Sequence, residues 1–83
     1  MAGEIQVKAL LFASYADALG SAEVPLLLIA GSTVGDAVAA VRAKAPDAIP
    51  PRPLVALNER YATHDDALAQ GDEIALIPPV AGG

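Results

Sequence analysis

Gly71-Asp72-Glu73-Ile74-Ala75-Leu76-Ile77-Pro78-Pro79-Val80-Ala81-Gly82-Gly83 is the stretch on which the fold turns. Gly71-Asp72 is a turn signal, and Glu73 to Ile77 is an apolar run of strand length. Pro78-Pro79 stops that strand, because proline fixes φ and brings no N–H to a ladder. The residues from Pro79 to Gly83 would reach at most ~16–18 Å if fully extended. Gly82 and Gly83 carry no side chain, so they fit a slot no wider than a backbone. The expectation is a rigid strand that holds out a slim tail, whose working group is the terminal carboxylate of Gly83. The competing reading is an inert end.

Working back from this stretch, Ile5, Val7, Ala9 and Leu11 alternate with Gln6, Lys8, Leu10 and Phe12. That period predicts a strand with one face buried and the other partly so. Ser14 stands three residues before Asp17 and Gly20 follows, which predicts one capped helical turn. Glu23 to Ala30 resumes strand character. Pro25 belongs at that strand's start or on a free edge, where a missing donor is harmless. The first two strands are expected to pair as a hairpin across a wide connection.

Thr33 and Asp36 occupy N-cap and N3 of a helix in which Val34, Ala37, Val38, Val41 and Ala45 share a stripe. That helix should end before Pro46. Ala48 to Pro53 reads as a stiff extended crossing, and Leu54 to Asn58 as a short central strand. Asn58-Glu59-Arg60 is a turn, Tyr61 starts a second short strand, His64-Asp65-Asp66 is another turn, and Leu68 is a buried anchor. The order of strand, strand, helix, strand, short strand, strand predicts an α+β fold of the β-grasp (ubiquitin-like) type. In it a mixed sheet has one main helix packed across one face. The domain should cover residues 1–78, with 79–83 as an extended tail.

Composition narrows the function. The chain has 83 residues, 54% of them apolar, so one domain with a compact core is expected. It has no cysteine, which excludes a disulfide, a thiolate metal site and a cysteine nucleophile. The net charge is −5, and the five basic residues Lys8, Arg42, Lys44, Arg52 and Arg60 are scattered. Nucleic acid is therefore not an expected partner, since phosphate binding needs clustered cations. No run is apolar for the ~18–20 residues of a membrane span, and the start lacks a leader's charged and apolar regions. A cytoplasmic protein is expected.

Taken together, Leu11-Phe12-Ala13, Ala18-Leu19-Gly20, Thr33-Val34, Leu57-Asn58, Gly71-Asp72-Glu73 and Pro78-Pro79-Val80-Ala81-Gly82-Gly83 resemble the small subunit of molybdopterin synthase. Proteins of that family are ubiquitin-like sulfur carriers of molybdenum-cofactor biosynthesis, and the resemblance runs through essentially the whole chain. It implies that an E1-like enzyme, using ATP and magnesium, adenylates the Gly83 carboxylate. A sulfur donor protein then leaves a thiocarboxylate. The tail would insert into the large subunit of a heterotetramer and pass sulfur to a cyclic pyranopterin precursor. No cofactor is expected to stay bound to the chain itself. The family's segment after Leu-Phe-Ala often carries arginines; here Ser14 and Ala16 stand in those places, so contacts made by those arginines are absent.

The site residues implied are Gly83 with Gly82 for the chemistry, and Phe12, Leu76, Ile77, Pro78, Pro79, Val80 and Ala81 for docking. Alternation along the last strand requires part of that docking set to be core. No metal site is expected: His64-Asp65-Asp66 offers ligands, but adjacent turn residues rarely converge on one ion. Asp72 and Glu73 read as turn residues rather than acid–base catalysts. Tyr15 and Tyr61 are each either an interface anchor or a cap on the core. The alternatives in function are a carrier for thiazole or cysteine synthesis, a ubiquitin-like modifier joined through Gly83, and a binding module with an idle tail.

Overall fold

Seven elements make up the computed structural model, which describes residues 3–79. They are β1 (Glu4–Leu11), α1 (Ala13–Leu19), β2 (Glu23–Ile29), α2 (Val34–Arg42), β3 (Leu54–Leu57), β4 (Arg60–Ala62) and β5 (Glu73–Ile77). Val80, Ala81, Gly82 and Gly83, on which the expected tail chemistry rests, lie outside the described residues.

The five strands form one sheet in the order β2-β1-β5-β3-β4. β1 and β2 are antiparallel, β1 and β5 parallel, and β5 and β3 antiparallel. The sheet is therefore mixed, with the last strand through its middle, as a β-grasp requires. Pro25 lies in β2, an edge strand, where no ladder partner misses its N–H.

One face of the sheet is the core side. Ile5, Val7, Ala9 and Leu11 of β1, Val24 and Leu26 of β2, Val55 of β3, and Ile74 and Leu76 of β5 are buried there. Against them pack Val34, Ala37, Val38 and Val41 from α2, with Ile49 and Leu68 from loops. The small residues on α2 let it lie close to the sheet. Its start is a full capping box: the Thr33 hydroxyl accepts from the Asp36 N–H, and the Asp36 carboxylate accepts from the Thr33 N–H at 2.9 Å. Among the described residues, no helix is long and apolar enough to cross a membrane.

Two expectations are corrected. The segment after β1 is a seven-residue helix rather than one turn, and Ser14 does not cap it. Phe12 is the N-cap, and no side chain closes that end. Gly20 does end the helix, in the left-handed conformation with φ 70°. Helix α2 ends before Pro46 as expected, but it stops at Arg42 and leaves out Ala45, a member of the expected stripe that is only half-buried. There the backbone tightens to three-residue turns, Lys44 N–H to Val41 O and Ala45 N–H to Arg42 O, both at 3.0 Å. This exit lets the Arg42 guanidinium donate to the Ile49 carbonyl at 2.8 Å and anchor the proline-rich crossing.

Candidate functional site

β5 aims the site. Its side chains alternate across the sheet, so Ile74 and Leu76 enter the core at 0% exposure while Ala75 and Ile77 are half-buried on the opposite, open face. Leu76 therefore leaves the expected docking set: it is enclosed under α2's side of the sheet and no partner can reach it. Ile77, Pro78 and Pro79 remain where a partner can touch them, with Pro79 exposed.

The ladder places two more apolar side chains beside Ile77. Leu54 is its antiparallel partner, and Leu11 pairs with Leu76, so Phe12 follows alongside Ile77. Phe12 is 48% exposed and Leu54 52%. Phe12, Ile77 and Leu54 thus make an apolar row across three strands where the chain leaves the sheet. A second row behind it runs Leu10, Ala75, Ala56 and Tyr61. Grouped exposed apolar side chains are a common feature of surfaces that bind other proteins. Leu54 was not expected there, because its place depends on the β3–β5 register, and pairing partners are not written in either strand alone.

The exit is flanked by a sharp backbone turn on one side and a groove on the other. β1 turns into α1 at Ala13, whose φ of 47° is a left-handed value costing an L-residue roughly 1–2 kcal/mol. That turn follows directly on exposed Phe12. Next to the start of the tail is an open groove of about 360 Å³, lined by Tyr15, Pro50, Arg52, Pro53, Leu54, Ile77, Pro78 and Pro79. Among the described residues, Arg52 is the one charged residue lining it. Tyr15 is 3% exposed, and burial pushes its hydroxyl's pKa above the ordinary 10.0. Of its two readings, the core cap holds. Tyr61, 76% exposed, is free to act as an anchor.

The remaining candidates are occupied with structure. The His64 carbonyl accepts from the Gly35 N–H at 2.9 Å, and its ring Nε2 lies 3.2 Å from the Pro53 carbonyl. The Asp66 carboxylate accepts from the Thr63 N–H at 3.0 Å. Among the described residues, no three His, Cys, Asp or Glu gather around one point. Asp72 takes the Asn58 amide on one oxygen at 3.0 Å and the Ala69 N–H on the other at 2.8 Å, while Asn58 Oδ1 accepts from the Glu73 N–H. These bonds lock the β3–β4 hairpin to the start of β5. The hairpin turn itself has φ 49° at Asn58 and 71° at Glu59, the positive values a two-residue turn between strands calls for.

A sequence profile described as the ThiS family matches residues 9–83. The chain belongs to the ThiS family. This ThiS-family chain is 35% identical over 81 residues to the molybdopterin synthase sulfur carrier subunit of Arabidopsis thaliana, covering 95% of the chain and 84% of that protein. It is 36% identical over 83 residues to the subunit of the same name in Chlamydomonas reinhardtii, covering 95% of the chain and all of that protein. Among solved structures, SAMP1 from Haloferax volcanii superposes with a TM-score of 0.82 at 34% identity, covering 94% of this chain and 99% of that one. The resemblance read from the sequence and the ubiquitin-like β-grasp fold are thereby both borne out. The match also spans residues 80–83, the segment carrying Gly82 and Gly83.

Proposed function

We propose that this chain is the sulfur-carrier subunit of a molybdopterin synthase, working through the carboxylate of Gly83. The observation that carries the reading is its 35–36% identity, across nearly the whole chain, to proteins bearing that name. The apolar row at the exit from β5 supports it, since it offers a docking face beside the start of the tail.

The chemistry needs no acid, base or metal from this chain. An E1-like enzyme joins the Gly83 carboxylate to AMP from magnesium-bound ATP, releasing pyrophosphate. A sulfur donor then attacks the carbonyl carbon; a C–S bond forms, the C–O bond to phosphate breaks, and AMP leaves. With a persulfide as the donor, the product is an acyl disulfide; a second thiol attacks its donor-side sulfur, forming a disulfide with the donor and releasing the Gly83 thiocarboxylate. Docked in the large subunit, this sulfur is delivered to the pyranopterin precursor, and hydrolysis of the acyl link returns the carboxylate. Glycine at the last two positions allows close approach at each partner. We place these steps in the cytoplasm, in an assembly of two small and two large subunits.

Reconstitution tests the reading. Charged wild-type chain plus large subunit should convert precursor to the dithiolene product, whereas a chain lacking Gly83 should fold and yet give none. Product formation without Gly83 would overturn the proposal. A protein-modifier role through the same carboxylate is a second reading, raised by the likeness to SAMP1, a small archaeal modifier protein of Haloferax volcanii, and it fits less well than the sulfur-carrier reading. It predicts conjugates that survive denaturing gels.

A further inference from the structure

Strand β2 leaves one edge of the sheet open, and the groups along it are self-complementary. Leu11 N–H donates to Ala22 O and Ala30 N–H to Gly3 O, which sets the alternation of the β1–β2 ladder. Val24, Leu26 and Leu28 therefore point their backbone groups at β1, and Glu23, Pro25, Leu27 and Ile29 point theirs outward. Glu23 is already engaged on both its N–H and its carbonyl by the Ser21 hydroxyl. The Ile29 carbonyl accepts from Ser32 N–H at 3.0 Å. Pro25 has no N–H. Among the described residues, this leaves the Pro25 carbonyl, the Leu27 N–H and carbonyl, and the Ile29 N–H without protein partners.

We propose that a second copy of this chain pairs with this edge, antiparallel and with Leu27 opposite Leu27. In that register Leu27 exchanges both its hydrogen bonds with its twin, and each Ile29 N–H meets the other copy's Pro25 carbonyl. Every free group is used once. The donor that Pro25 lacks falls opposite the Ile29 carbonyl that Ser32 already fills. An edge proline normally blunts strand pairing, and a foreign strand would meet a missing donor here. The chain's own copy does not.

Side chains agree with the backbone. Leu27 and Ile29 are 59% and 66% exposed on the open face, and pairing would set them with Pro25 in one apolar strip. Behind this strip, β1 places Glu4 beside Ile29, Gln6 beside Leu27 and Lys8 beside Pro25. Each flanking row across the seam would thus begin on Lys8 of one copy and end on Glu4 of the other, with neutral Gln6 in the central row. So short an edge buries far less than the ~1,200 Å² of a stable interface, so the pair forms weakly. Since each copy carries −5, added salt should strengthen it.

Sedimentation and amide-resolved NMR on the full chain, at micromolar and at millimolar concentration, test this. The average mass should rise toward twice the monomer's, with concentration-dependent shifts centred on the Leu27 and Ile29 amides. Leu27→Lys sets two ammonium groups against each other and should stay monomeric with an unchanged thermal melt, whereas Leu54→Lys should associate as wild type does. A constant mass at millimolar concentration would overturn the proposal. So would association that survives Leu27→Lys or is lost in Leu54→Lys.

Discussion

Leu76 and Ile77 are neighbours on β5 with opposite fates: Leu76 is shut in the core at 0% exposure, and Ile77 lies half-buried on the open face opposite Leu54. On the proposed function, the two positions should separate folding from docking. Leu76→Ala should cost ~2–5 kcal/mol in urea unfolding, the usual price of a cavity in a packed core. Ile77→Ala should cost only about 1 kcal/mol, because little of its surface is buried. For binding to the large subunit the order should reverse. Ile77→Ala should weaken it about tenfold, a loss of ~1.4 kcal/mol, measured by calorimetry on folded protein. Equal effects of both variants on stability would refute the assignment of faces.

Gly35 is a second place where a simple rule should fail. In the first turn of a helix, glycine to alanine ordinarily gains up to ~1 kcal/mol. Here a Cβ would sit 3.1 Å from the His64 carbonyl oxygen, the atom that also accepts the Gly35 N–H. Gly35→Ala should therefore leave the melting temperature level or lower it. A clear rise would mean that the loop carrying His64 yields freely.

Burial of Tyr15 gives an alkaline signature. Its folded pKa is raised above 10.0 by desolvation, so the unfolded chain releases the proton first as pH climbs. Stability from the neutral hydroxyl is fully present below pH 10.0 and is lost as pH rises from there through the folded pKa. Denaturant unfolding across that range should show wild type losing stability and Tyr15→Phe losing less. Parallel curves would mean that the hydroxyl is as hydrated in the fold as out of it.

Elements whose signal is local were legible in the sequence. The alternation of Ile5, Val7, Ala9 and Leu11 fixed which face of β1 is buried, and Thr33 with Asp36 marked the start of α2. The spacing of Ser14 and Asp17 misled, because no side chain caps the start of the short helix there, which buries Tyr15 and closes on Gly20. Pro46 marked a limit on α2 but not its end, which is set by the tightened turn that brings Arg42 to Ile49. At the site, Phe12 and Ile77 came from the family resemblance, while alternation warned that part of the docking set was core. Leu54 could be read from neither, since it joins them only through pairing between strands distant in the chain.

The central claim is that Gly83 carries sulfur as a thiocarboxylate. Intact-mass spectrometry, after incubation with an E1-like activating enzyme, ATP, magnesium and a sulfur source, tests it most directly. The account predicts a gain equal to replacing one oxygen by sulfur, mapped by fragmentation to the last residue and absent without ATP. An unchanged mass under conditions that charge a known carrier, or a gain mapped anywhere else in the chain, would contradict it.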